Sequence, residues 1–166
     1  MDDPTVRSAT ADDAADIRRV ARESWHAAHD DVIGTDAVES AIDEWYDADS
    51  LAESVARDDG RFLVACADDD VAGFAQAVLG DEGGPAWLAR IYVAPDRWGD
   101  GVGTALLDRI EDWLRGEGAD RLRLAVMAGN DVGNAFYEKR GYAVVEERER
   151  DLFAATFEEY VREKDL

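Results

Sequence analysis

The chain has 166 residues, enough for one domain with a substantial buried core, and a hydrophobic content of 46% argues against disorder. Its 39 acidic residues outweigh 18 lysines and arginines, a formal charge of -21 that disfavours nucleic acid and anionic membranes as partners. No apolar run is long enough to span a bilayer, and the opening MDDPTVRSAT lacks the basic and apolar regions of an export signal, so the expected compartment is the cytoplasm.

Only Lys139 and Lys164 are lysines, and the acids are spread over nearly every helix and turn. An acidic pocket for a cationic substrate is one explanation. The even spread favours the other, an acidic surface suited to concentrated salt, where screening shortens self-repulsion. The one cysteine, Cys66 in FLVACA, excludes an intrachain disulfide or a cysteine metal cluster and reads as a small core residue. No metal site is expected.

A weakly alternating segment, Thr5 to Ala9, precedes Thr10, a helix N-cap with Asp13 three residues on. The helix it opens carries Ile17, Val20, Ala21, Ser24, Trp25 and Ala28 on one face and fades near His29–Asp31. Thr35 caps a second helix striped by Val38, Ile42, Trp45 and Tyr46, and Ser50 with Glu53 suggests a capping box for a short third. The period then changes. Arg61–Ala67 and Val71–Leu79 read as strands joined by a hairpin at Asp68–Asp70, and a loop from Asp81 to Pro85 leads to a third apolar run.

That run, AWLARIYVAPDRWGDGVG from Ala86 to Gly103, is strand, glycine turn and helix in succession. Pro95 stops the strand; Val102, Leu106, Ile110, Trp113 and Leu114 then recur at helical spacing. Unblocked N–H groups at such a helix start make an anion site. A dinucleotide fingerprint needs its third glycine at position 104, where Thr104 stands, and a P-loop needs a lysine that the loop lacks. After Gly116–Gly118, Arg121–Met127 reads as a strand and Val132–Arg140 as a short helix closed by Gly141. Tyr142–Arg148 and Thr156–Arg162 are the last strands, separated by a polar segment containing Arg150–Asp151. On the short helix Phe136 and Tyr137 point about 100° apart, so one is expected to pack into the sheet while the other looks toward the glycine loop. The economical architecture is one α/β (α+β) layer with helices on a central sheet, in a single domain over residues 1–166.

The segments LARIYVAPDRWGDGVGTALL and NDVGNAFYEKRGY resemble, in order and spacing, the two motifs of the GNAT superfamily of N-acetyltransferases. The resemblance implies a mixed, mostly antiparallel sheet of about seven strands with about four to five flanking helices and splayed fourth and fifth strands. It implies transfer of an acetyl group from acetyl-CoA directly to a primary amine. The pyrophosphate of CoA would lie on the N–H groups of Trp98, Gly99, Asp100, Gly101, Val102, Gly103 and Thr104, the glycines allowing close approach. The pantetheine arm would pair with the main chain of Ile91, Tyr92 and Val93 and with Asn130. Tyr137 would protonate the leaving thiolate. A main-chain N–H near Val93 would stabilise the tetrahedral intermediate. Trp98 stands where the family usually has Arg or Gln, and Arg97 is a substitute for the lost side chain. The usual glutamate of the fourth strand is replaced by Trp87 and Leu88, leaving His26, His29, Asp81, Glu82 or a water relay as the base. Trp25, Trp45 and Tyr46 either line an acceptor pocket or pin helices to the sheet. A non-catalytic acyl-CoA-binding or sensing module is the alternative, and the final strands offer a route to a homodimer.

Overall fold

The computed structural model describes residues 4–81, 83–153 and 155–166. Its strands are β1 (Thr5–Ser8), β2 (Gly60–Ala67), β3 (Asp70–Val78), β4 (Ala86–Val93), β5 (Arg121–Met127), β6 (Ala143–Leu152) and β7 (Ala155–Asp165). They form one sheet in the order β1-β2-β3-β4-β5-β7-β6. Every neighbouring pair is antiparallel except β4 and β5. The helices are α1 (Ala14–Ile33), α2 (Thr35–Trp45), α3 (Ala48–Val55), α4 (Val102–Gly116) and α5 (Asp131–Lys139). This is the mixed sheet with flanking helices expected from the motifs.

Strand alternation sends side chains to two cores. Phe62, Val64, Phe74 and Tyr92 pack under α1, α2 and α3, whereas Leu63, Ala65, Ala75, Ile91 and Val93 pack with Val102, Leu106, Leu107, Ile110 and Leu114 of α4. Because β3 is covered on both faces, it reads as a continuous apolar run. Gly73 lets α4 come close: a Cβ there would lie 3.0 Å from Val102 Cγ1 and 3.2 Å from Leu106 Cδ1.

Several ends differ from the sequence reading. α1 runs on to Ile33 because His29 and Ile33 continue its buried stripe. Gly34, not Thr35, occupies the N-cap of α2, with φ 90°. Asp47 caps α3 by accepting the Ser50 N–H at 3.2 Å, so the expected Ser50–Glu53 box does not form. Asp68 and Asp69 both have positive φ (53° and 68°), giving β2–β3 a two-residue turn whose twist suits a hairpin. Arg150 and Asp151 lie inside β6, which pairs with β7 as far as Leu152↔Ala155. Tyr142 leaves the strand entirely. Its hydroxyl donates to Glu111 Oε2 at 2.6 Å, and Lys164 Nζ reaches Glu111 at 2.9 Å, tying the end of α5 to α4 and β7.

Candidate active site

Only Ala86↔Leu122 and Trp87↔Arg123 join β4 to β5. Beyond them the two strands part, and the register explains why. Ala77 faces Leu88 while Gln76 faces Arg90, so Ala89 is an extra residue that bends β4 away from its parallel neighbour. A cleft of ≈ 310 Å³ opens in the gap, lined on one side by Leu88–Val93 and on the other by Leu124–Met127.

Pairing on the far side of β4 decides which main-chain groups face that gap. The Ala94 N–H donates to the Ala72 carbonyl at 2.8 Å. Since N–H and C=O groups alternate along a strand, those of Tyr92 also point to β3, and those of Ile91 and Val93 point into the cleft. Of the three expected main-chain partners, two therefore face the cleft. Tyr92 contributes a side chain instead, 5.7 Å from Trp25 between ring centroids.

The glycine turn divides in the same way. The Trp98 N–H is spent on the Pro95 carbonyl at 3.3 Å and the Asp100 N–H on the Arg97 carbonyl at 3.2 Å. Among the described residues, the N–H groups of Gly99, Gly101, Val102, Gly103 and Thr104 have no backbone acceptor, as the start of a helix dictates. Gly99 and Gly101 hold φ of 86° and 87°, which only glycine adopts cheaply. Gly103 has another purpose: a Cβ there would lie 3.2 Å from the Phe136 ring. Trp98 folds back, its indole N–H donating to the Val93 carbonyl at 2.8 Å. Arg97, the expected substitute cation, is held by Asp68 at 3.2 Å.

Across the gap, Asn130 caps α5 by accepting the Gly133 N–H at 2.9 Å, leaving its amide NH₂ free of that bond. Phe136 and Tyr137 both line the cleft, their centroids 5.4 Å apart, where one was expected to turn away. Burial raises the Tyr137 hydroxyl well above an ordinary phenol, so it stays protonated at neutral pH. Among the described residues no group hydrogen-bonds it.

Of the three candidate bases among the described residues, one reaches the cleft. His29 lines it, 4% exposed, with ring centroids 4.8 Å from Trp25 and 6.3 Å from Tyr92. Burial lowers its pKa to about 4, and its Nδ1 has no hydrogen-bond partner among the described residues. His26 is held by Asp30 at 2.7 Å and Glu39 at 3.3 Å and does not line the cleft. Asp81 is exposed in the β3–β4 loop, and Glu82 lies outside the described residues. Trp25 and Trp45 line this end, while Tyr46 is buried at 2% exposure against Phe74. Sequence reasoning missed the third wall, Leu152, Phe157 and Glu159 of the last hairpin, because nothing in a strand's alternation says which cavity it faces.

A strand edge opened by a bulge, beside a helix start with free N–H groups and a protonated phenol, suits an acyl-CoA donor. Comparison with known proteins decides the family: the profile described as "Acetyltransferase (GNAT) family" matches residues 15–142. The chain belongs to the GNAT family. It is similar to a spermidine N(1)-acetyltransferase of Thermoplasma acidophilum, 30% identical over 143 residues, covering 84% of this chain and 88% of that protein. It is also similar to a type 1 aminoglycoside N(6')-acetyltransferase of Stenotrophomonas maltophilia, 30% identical over 158 residues, 90% of this chain and 91% of the other. The solved PaiA N-acetyltransferase of Thermoplasma acidophilum, in complex with coenzyme A, superposes with a TM-score of 0.86 at 28% identity, over 100% of each chain. This GNAT chain is an N-acetyltransferase, with acetyl-CoA as the donor. Among the described residues, no helix is long and apolar enough to cross a membrane.

Proposed function

We propose that the chain, a single domain over residues 1–166, acetylates a primary amine by direct attack within a ternary complex. The observation that carries this reading is the β4 edge: Ile91 and Val93 present main-chain groups to a cleft that also holds Tyr137 and His29. The pantetheine amides pair with that edge and with the Asn130 amide. The pyrophosphate takes the free N–H groups of Gly99 and Gly101–Thr104. The N–H of Ile91 or Val93 stabilises the tetrahedral oxyanion.

The amine enters among Trp25, Trp45 and Tyr92, whose ring faces attract a cation. The burial that lowers His29 also lowers the pKa of an amine carried beside it, so the proton leaves more readily than it would in water. His29 accepts it directly or through a water, and Tyr137 donates a hydrogen bond, and then a proton, to the departing thiolate. Cys66, on β2 and away from the cleft lining, takes no part. The relatives that act on spermidine and an aminoglycoside support a polycationic acceptor. The charge of -21 supports a cytoplasm of high salt as the working environment, and the last strands, ending in β6 at the sheet edge, support a homodimer.

The test is release of free CoA from acetyl-CoA in the presence of a panel of polyamines, aminoglycosides, amino acids and peptides, assayed at high salt. Turnover on one class identifies the acceptor. CoA binding without turnover on any amine refutes the reading and leaves a binding or sensing module.

A further inference from the structure

Arg162 stands on β7, where it faces Leu124 of β5 on one side and Val144 of β6 on the other. It is 7% exposed, and no carboxylate pairs with it among the described residues. Such a guanidinium gives up hydration without gaining an opposite charge. What it offers in return is geometry, a rigid plane of donors that can hold two acceptors at once.

Both acceptors belong to α5 or its exit. The Arg162 Nε–H donates to Asn134 Oδ1 at 3.1 Å, and Nη1 donates to the Tyr142 carbonyl at 2.7 Å, just past the end of the helix. The first bond orients the Asn134 amide. A guanidinium only donates, so the amide oxygen faces it and the NH₂ faces the other way. There the NH₂ donates to the carbonyls of Met127 at 3.1 Å and Asn130 at 3.0 Å, the last residue of β5 and the N-cap of α5. Tyr142 makes a further bond, its N–H donating to the Tyr137 carbonyl at 3.1 Å. One arm of Arg162 thus fixes the turn from which α5 starts, and the other fixes the residue that holds the Tyr137 main chain. With no hydrogen bond to the Tyr137 hydroxyl among the described residues, its aim is left to the course of α5 and to the neighbouring rings of Phe136 and Tyr142.

We infer that Arg162, acting through Asn134, is a positioning residue for Tyr137, setting α5 so that the phenol meets the CoA sulfur as the C–S bond breaks. The inference rests on Tyr137 being the proton donor of the proposed reaction.

Steady-state kinetics and CoA titration of wild type, Asn134→Ala, Arg162→Lys and the combination of each with Tyr137→Phe test it, with the fastest amine of the panel as acceptor. Asn134→Ala lowers kcat about tenfold, while CoA, held by the glycine turn and the β4 edge, changes affinity less than about twofold. Arg162→Lys lowers kcat as well, because one ammonium does not span both acceptors. In the Tyr137→Phe background neither substitution lowers kcat further, since the donor they position is gone. Unaltered kcat in the single variants overturns the inference. So does a fall of the same size with and without the phenol, which marks a structural role alone, or a loss of CoA affinity as large as the loss of kcat. Asn134→Ala, at a half-buried helix position, decides the test where Arg162→Lys does not fold. Tyr137→Phe as active as wild type overturns the donor assignment on which the inference rests, and wild type that turns over no amine overturns the transfer reaction itself.

Discussion

Replacing His29 by Phe removes a buried titratable group from the acceptor end of the cleft, and its effect on stability depends on pH in a calculable way. In the folded protein the imidazole is 4% exposed and its pKa is lowered from 6.5 to about 4, chiefly because burial penalises the charged ring. Between these values the unfolded chain binds a proton that the folded chain does not, so folding stability rises with pH across this window. The contribution is complete above about 6.5 and is lost as pH falls toward 4. Each tenfold difference in proton affinity is about 1.4 kcal/mol, so the full difference is roughly 3 kcal/mol. Phe fills the slot between Trp25 and Tyr92 without an unpartnered ring nitrogen. Urea unfolding at pH 7 and at about pH 4.5 measures both proteins. The carboxylates titrate in both and cancel, so wild type should lose about 2–3 kcal/mol more than the variant. Equal losses refute the assignment of a buried, neutral His29. The same neutrality means that kcat/KM of wild type shows no break near pH 6.5 attributable to this residue.

Tyr137→Phe keeps the ring and removes the proton donor, so turnover should fall about a hundredfold while CoA affinity, by titration, changes less than about twofold. Gly101→Ala forces a Cβ onto a residue at φ 87°; thermal or urea unfolding should show a loss of about 1–2 kcal/mol, with weaker CoA binding. Trp98→Phe removes the indole N–H that occupies the Val93 carbonyl. Freed for the pantetheine, that carbonyl should tighten CoA binding about two- to tenfold, measurable by equilibrium dialysis. Raising salt from about 0.1 M to about 1 M shortens the screening length from roughly 10 to 3 Å, so the KM for acetyl-CoA should fall as repulsion from the acidic surface is screened.

Local chemistry made much of the fold readable. Short apolar runs marked β2, β3 and β4, alternation marked β5, and helical spacing marked α1, α2 and α4, because burial on one face or two imposes those patterns on a strand or helix that covers a core. The hairpin at Asp68–Asp69 and the closure of α5 at Gly141, with φ 92°, were legible from turn residues. Element ends were less so. The capping of α3 by Asp47 and the extension of α1 through His29 each depended on a competitor that a local pattern does not rank.

From its residues alone, the chain determined the order of its elements and the two motifs, whose resemblance to the GNAT family carried the donor with it; each motif is a local pattern within its own segment. Tertiary structure decided which groups of those segments are free to act. Ile91 and Val93 face the gap, and Tyr92 does not, because β3 takes the alternate N–H and C=O groups and the extra residue Ala89 bends β4 away from β5. His29 was separated from His26 by the packing of Trp25 and Tyr92, which buries one ring and leaves the other to Asp30 and Glu39. Main-chain pairing and burial are set by neighbours distant in sequence, and no spacing within a motif encodes them.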